Sequence, residues 1–444
     1  MDEGYLLTTS FAEQLYEQVK HLPLIDFHNH LSIQDIQQNR QFESIYDLWL
    51  ASDPYKHRVM RICGIDEELI TGSAPGKEKF RAFCGVYPCL IGGPLFDWCA
   101  MELNDVLGIH QPIDADHADW IWDEANEKLK GNEFRAGALV ERFHAEFLAP
   151  CASILDNVMV FQPGKGIVPS LRGDDMTVPT LSFLQKLSAL TEKRIDHLGD
   201  YLDALDIRLA AFHQAGCRFS DHALDDGFTF ATQRQDAEQI FQRLLGGAAL
   251  TQPDQTVLSS EILLQLAVSY QRLGWTMQLH IGAMRFTSTR LRKSAGPAGG
   301  FAGIGSGISM QETVHFLDAA EMQSGKLPST ILYTLNPGLN AAFAVLCGSF
   351  AGVVQGPAWW WCDHIQGMRD MLENYAVFSV LSTFPGMTTD SRSLLSLTRH
   401  DYFRRVLCGW LGEKMQRGEM PRDEKMMGRL AENLCYFNAK ERIK

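Results

Sequence analysis

The chain has no run long enough to cross a bilayer: its longest weakly polar stretch, Ala341 to Val354, is shorter than the ~20 residues a spanning helix needs and contains Gly and Ser. It also lacks a long Lys/Arg tract. Its 54 acidic residues outnumber 40 basic ones, for a net charge of −14. That balance argues against a surface that tracks a phosphate backbone, and no nucleic-acid or membrane partner is expected. The opening residues, MDEGYLLTTSFAEQLYEQVK, have neither the basic start nor the apolar block of a secretory signal, so a cytoplasmic location is expected. Repeated CxxC pairs are missing too. The ten cysteines read as reduced packing residues rather than a disulfide framework, and the nearest thing to a cluster, Cys84, Cys89 and Cys99, is spaced too irregularly to favour a zinc knuckle over buried thiols. Low-complexity segments are absent, and 45% hydrophobic with 21% charged residues describes a folded chain with ample core material.

What is present is a rhythm of short apolar runs bounded by turn residues. Strand candidates fall at 24–28, 144–149, 157–161 or 166–170, 215–220, 276–281, 330–335, 352–356 and 377–384. Helical patterns lie between most of them. In 261–274, Ile262, Leu266, Tyr270 and Leu273 recur at helical spacing and Gly274 stops the run. Strand then helix, repeated about eight times, predicts an α/β fold that closes as a (β/α)8 TIM-type barrel, with functional residues where strands end. The helix-rich stretch with Trp49, Trp98, Trp120 and Trp122 breaks the rhythm. The expected division is therefore an N-terminal helix and first strand over 1–30, a helical insertion over 31–140, and the rest of the barrel over 141–444.

The first strand runs into PLIDFHNHLS, where alternation puts Asp26, His28 and His30 on one face. Two imidazoles so placed suit one metal ion, although hydrogen-bonded core histidines read the same way. A third ligand is offered by Asp390 in FPGMTTDSR, which would complete a His, His, Asp set suited to zinc or a similar divalent ion; the alternative is that Asp390 caps the helix that follows. QLHIGAMR places His280, and SDHALDDGF places Asp221 and His222, at two further strand ends, and titratable groups at several strand ends are uncommon as packing. Arg172 and Arg392 are forks for a substrate carboxylate or members of surface ion pairs. Trp359, Trp360 and Trp361 pack in the core or stack on a sugar ring.

Several stretches together resemble the uronate (glucuronate) isomerases of the amidohydrolase superfamily: LIDFHNHL, SIYDLWLASDPYKHRVMR, IGGPLFDWCAMEL, VPSLRGDD, AGCRFSDHALD, GWTMQLHIGAMR, TILYTLNP, AWWWCDHIQGM and FPGMTTDSRSLLSLTRHDYFRRVLC. The likeness covers nearly the whole chain. It implies a distorted (β/α)8 barrel that interconverts glucuronate and fructuronate, and often galacturonate and tagaturonate. It also implies a metal, commonly zinc, on His28, His30 and Asp390, with Tyr55, Arg172 and Arg392 on the substrate and Asp221 and His280 in the active site. The partner expected is a small uronic acid, and a homo-oligomer is left open. Asp390 is the first choice of C2 base, His280 the second, with Asp221 orienting His280. Two other functions fit the same residues: a metal-dependent hydrolase, and a sugar-acid binding homologue without turnover. The sequence departs from the family pattern at Pro54, where His is usual, at Leu148 to Ala152, in place of Thr-Thr-Asp-Asp-Pro, and at Ala302, where GFDSI has become GFAGI.

Overall fold

The computed structural model describes residues 4–306 and 309–444. Its strands are β1 (Leu24–Asn29), β2 (Ala145–Ser153), β3 (Ser170–Arg172), β4 (Phe219–Leu224), β5 (Thr276–Ile281), β6 (Ala283–Met284), β7 (Gly303–Ile304), β8 (Ser329–Thr334) and β9 (Val353–Gln355). Seven of them form one sheet in the order β1-β2-β3-β4-β5-β8-β9, every pair parallel; β6 and β7 form a separate antiparallel ribbon. β5 (TMQLHI) is buried along its whole length, as a strand covered on both faces must be. The sheet is rolled. Phe27 of β1, Phe147 of β2, Phe219 of β4 and Ile331 and Tyr333 of β8 share one apolar cluster, although β1 and β8 are far apart in strand order. The result is a distorted barrel of the α/β class.

Helices cover the outside. The segment around 261–274 is helical over Gln252–Leu273, started by a capping box between Thr251 and Asp254 and ended at Gly274, whose φ of +69° suits glycine. Among the described residues no helix is long and apolar enough to cross a membrane. Between β1 and β2 the chain is helical, and its Trp49, Phe80, Phe83 and Trp98 share an apolar cluster with Tyr375, Tyr402, Phe403 and Leu407 of the C-terminal helices. One helix of that segment, Pro54–Ile62, is started by the Asp53 carboxylate, which accepts from the Tyr55 and Lys56 amides at 2.9 and 3.2 Å. This cap fixes Tyr55 at the barrel mouth.

Two strand expectations fail. Residues 157–161 and 166–170 give only the short helix Val158–Val160 and an Ile167 bridge to Leu148 before β3 begins at Ser170. The apolar run 377–384 is the end of the helix Ile365–Phe378 followed by a 3₁₀ turn, with Val377, Phe378 and Val380 exposed. The last place in the barrel is instead taken by extended chain around Thr388 to Ser391. The Asp390 amide donates to the His28 carbonyl at 3.2 Å and the His30 amide to the Ser391 carbonyl at 2.8 Å. Buried Asp26 stands in for the missing ladder: it accepts from the Thr389 amide at 2.9 Å and from the hydroxyls of Thr388 and Thr389 at 2.7 and 2.6 Å. Side-chain acceptors need no regular strand register.

Candidate active site

A pocket of about 60 Å³ at the strand ends is lined by His28, His30, Tyr55, Arg172, Asp221, His280, Trp359, Trp360, Asp390 and Arg392, together with Pro54 and Arg285. Ten of the residues singled out from the sequence are thus in one place, while Asp26, Trp361 and His222, whose Nε2 lies 3.0 Å from the Tyr270 hydroxyl, are not among its lining. Outside it lies a cavity of about 390 Å³ that shares Pro54, Arg172, Arg285, Trp360 and Arg392 and adds Thr177, Phe286 and Ala302.

The centre of the pocket is Asp390. Its Oδ1 lies 3.2 Å from His28 Nε2 and 3.1 Å from His30 Nε2, and its Oδ2 accepts from Trp359 Nε1 at 3.0 Å. Capping does not explain it, because Ser393 supplies the side-chain cap of the 3₁₀ helix Leu394–Thr398. Asp390 has a φ of +50° and Trp360 one of +41°, and left-handed backbone at two non-glycine residues of one site is strain the surrounding contacts must hold. Asp390 Oδ1 thus lies within 3.2 Å of both imidazole nitrogens, and the donor sets whose atoms all lie within 4.8 Å of one another, among the described residues, are His28, His30 and Cys151, and His28, Asp221 and His280. The donor types are those of zinc-like sites.

Around that centre the charges are tightly opposed. Burial works against ionisation of Asp390, but His28 and His30 hold its carboxyl well below the usual range. Burial also works against the His28 cation, while Cys151 and Asp390 hold its pKa well above the ordinary value. Burial and the neighbouring His28 push His280 well down, so it is a neutral imidazole. His280 stacks on Tyr333 at 4.6 Å between ring centres, lies 4.5 Å from both the His28 and Trp359 rings, and has Asp221 Oδ2 at 3.8 Å from its Nδ1. Arg172, the last residue of β3, donates to Asp174 at 3.1 Å and is paired in register with Asp221 of β4. Gly173 follows β3 in close contact with His222, whose ring would collide with a Cβ at that position. Tyr55 donates to Asp363 Oδ1 at 2.7 Å, and Arg399 Nη1 lies 3.6 Å from the other oxygen of Asp363. Burial pushes the Asp363 carboxyl up to about 7.

Two residues escaped the sequence reading. Arg285 sits five positions after His280 in the matched stretch QLHIGAMR, so its signal was on view. It donates to Asp225 at 2.9 Å and lines both spaces. Cys151 was read as packing, yet its Sγ lies 3.6 Å from His28 Nδ1 and 3.8 Å from Asp221 Oδ1. The only hint was its place in the departing run Leu148 to Ala152. The other departures also face this region. Pro54 and Ala302 line the outer cavity, and Gly300 packs so tightly on the Pro54 carbonyl that no Cβ fits.

Residues 1–442 match the family model for glucuronate isomerase. A uronate isomerase of Caldanaerobacter subterraneus subsp. tengcongensis is 37% identical over 99% of this chain and 98% of its own length. One from Halalkalibacterium halodurans is 38% identical over 99% and 96%. Among solved structures, the uronate isomerase of Thermotoga maritima superposes with a TM-score of 0.93 at 30% identity, covering 100% of this chain and 99% of that one. A putatively assigned metal-dependent hydrolase of Lactobacillus casei shares the fold at a TM-score of 0.53 and 10% identity, covering 97% of each chain.

Proposed function

The chain belongs to the glucuronate isomerase family, whose reaction interconverts glucuronate and fructuronate, and we propose that His28, His30 and Asp390 hold the metal ion of that reaction, with zinc the preferred ion. The observation that carries this is the convergence of both Nε2 atoms on Asp390 Oδ1 in a pocket that also holds Arg172 and Arg392. Held there by His28, His30 and Asp390, a divalent ion would supply the Lewis acidity that makes a proton next to the sugar carbonyl easier to remove.

The protein's own groups do the rest. Arg172 and Arg392 take the substrate carboxylate in the outer part of the site, where their forks reach both spaces. Tyr55 has its proton committed to Asp363, so its oxygen is left to accept from a sugar hydroxyl. Asp390, oriented by the Trp359 N–H, takes the proton from C2 and returns it to C1 through a cis-enediol. Neutral His280, steadied by Asp221, relays the hydroxyl proton. Trp359 and Trp360 wall the sugar side of the pocket. Galacturonate, which differs in one hydroxyl configuration, is the second substrate of this reading.

The test is to incubate zinc-loaded protein with glucuronate, galacturonate and a uronolactone in parallel. Ketose appearing from the uronates is expected; lactone opening without any ketose would refute the assignment of these roles.

A further inference from the structure

We propose that Asp363 is the positioning residue of Tyr55: it takes the phenol proton and so presents the phenol oxygen to the substrate as an acceptor. The inference rests on the substrate contact assigned to Tyr55 above, and deepens it by naming what sets that contact.

Asp363 is 3% exposed and lines neither the inner pocket nor the outer cavity. Any effect it has on the sugar must pass through a neighbour. Tyr55, which does line the inner pocket, donates to Asp363 Oδ1 at 2.7 Å, while Arg399 Nη1 stands 3.6 Å from Oδ2. A phenol has one proton to give. With that proton on Oδ1 and the second carboxyl oxygen turned to Arg399, the Tyr55 oxygen meets the substrate as an acceptor. The ring is boxed in as well. Trp98 and Trp361 meet it edge to face at 5.4 and 4.8 Å between ring centres, and the Arg399 guanidinium lies 5.1 Å from its centre.

The chain that carries Asp363 is held without help from Tyr55. The Cys362 thiol donates to the Leu335 carbonyl just past β8 at 3.3 Å, and the Asp363 amide donates to the Trp360 carbonyl at 3.0 Å. His364 Nδ1 then accepts from the Gly367 amide at 3.1 Å to start the helix Ile365–Phe378, and Gly367 approaches the Cys362 carbonyl so closely that no Cβ fits. Four residues before Asp363, Trp359 donates to Asp390. One short, anchored segment thus orients both the base and the hydroxyl contact assigned to the reaction. Misplacing a catalytic group by about 1 Å can cost about 100-fold in rate, so such a segment bears on turnover rather than on stability alone.

A double-mutant cycle tests this, because residues that act as a unit give non-additive losses. Zinc-loaded wild type, Tyr55→Phe, Asp363→Leu, the double variant and Asp363→Asn are assayed for ketose formation from glucuronate. Tyr55→Phe and Asp363→Leu should each lower kcat by about tenfold or more with KM within about twofold, and the double variant should be no slower than Tyr55→Phe. Asp363→Asn keeps an oxygen for the phenol proton and should recover most of the rate. Losses that multiply in the double variant, or a wild-type kcat in Asp363→Leu, would overturn the proposal and leave the role of Tyr55 standing. A wild-type kcat in Tyr55→Phe would overturn that role and the proposal with it. No ketose from the wild type would overturn the reaction assigned to the site and the proposal together. Should Asp363→Leu fail to fold, Asp363→Ser takes its place in the cycle with the same expectations.

Discussion

Asp390 and Asp363 show how neighbours divide two buried carboxyls into different roles. Asp390 is held ionised by two histidines, whereas Asp363 is pushed by burial up to about 7. The sign for Asp363 follows from linkage. A carboxyl whose folded pKa is raised contributes stability that is fully present below its ordinary range near 3.8 and is lost as pH rises to about 7. Across that window the wild type should lose about 1.4 kcal/mol per pH unit relative to Asp363→Asn, which still accepts from Tyr55 but cannot ionise. Paired denaturation curves between pH 4 and 8 measure this; a constant difference would remove the burial argument. For Asp390, replacement by Asn should lower kcat/KM on glucuronate by about 100-fold or more, since on the proposed roles it takes away both a base and a ligand. Wild-type turnover in that variant would exclude it as the base. At this scale the sequence was informative for His28, His30 and Asp390, because strand alternation and a matching loop are visible in letters. Cys151 was not, since a thiol among nine others carries no mark of the histidines the fold brings to it.

The elements that fail to be regular are the ones that carry the site. Extended chain around Thr388 to Ser391 holds its place through Asp26, which offers a buried carboxylate to one amide and two hydroxyls. Hydrogen bonds to a charged group contribute roughly 1.5–3 kcal/mol each, and groups that orient a metal ligand typically change affinity about 10- to 100-fold. Asp26→Ala should therefore destabilise the protein by a few kcal/mol and weaken zinc binding by about tenfold or more, measured by chemical denaturation and by competition with a chelator. Zinc affinity equal to wild type would mean that Asp390 is positioned without Asp26. The same feature explains the misplaced last strand. An apolar run at 377–384 satisfies a strand pattern, but Val377, Phe378 and Val380 are exposed at a helix end, while the chain that closes the barrel is rich in Thr and Ser. Hydrophobic periodicity finds strands held by ladders and misses a segment held by side chains.

Across the whole molecule, a net charge of −14 surrounds a pocket lined by Arg172, Arg285 and Arg392. A uronate anion is repelled by the surface and drawn only at the mouth, so its capture should depend on salt near the site. Raising ionic strength from about 0.05 to 0.5 M should raise KM for glucuronate several-fold while kcat changes little, because the Debye length shrinks from about 14 to about 4 Å and the arginines lose their reach. A kcat that falls while KM stays fixed would argue against carboxylate capture by these arginines. The barrel class was legible from the repeated strand-helix pattern, and its closure was not, because the rolled sheet shows itself only when Phe27 of β1 meets Ile331 and Tyr333 of β8. The central claim is that this site moves a proton between C2 and C1 of a uronate. The most direct measurement is nuclear magnetic resonance of zinc-loaded wild type and Asp390→Asn with glucuronate. The wild type should bring glucuronate and fructuronate to a fixed ratio from either side, and the variant should not on the same timescale. Glucuronate bound and returned unchanged by the zinc-loaded wild type would contradict it.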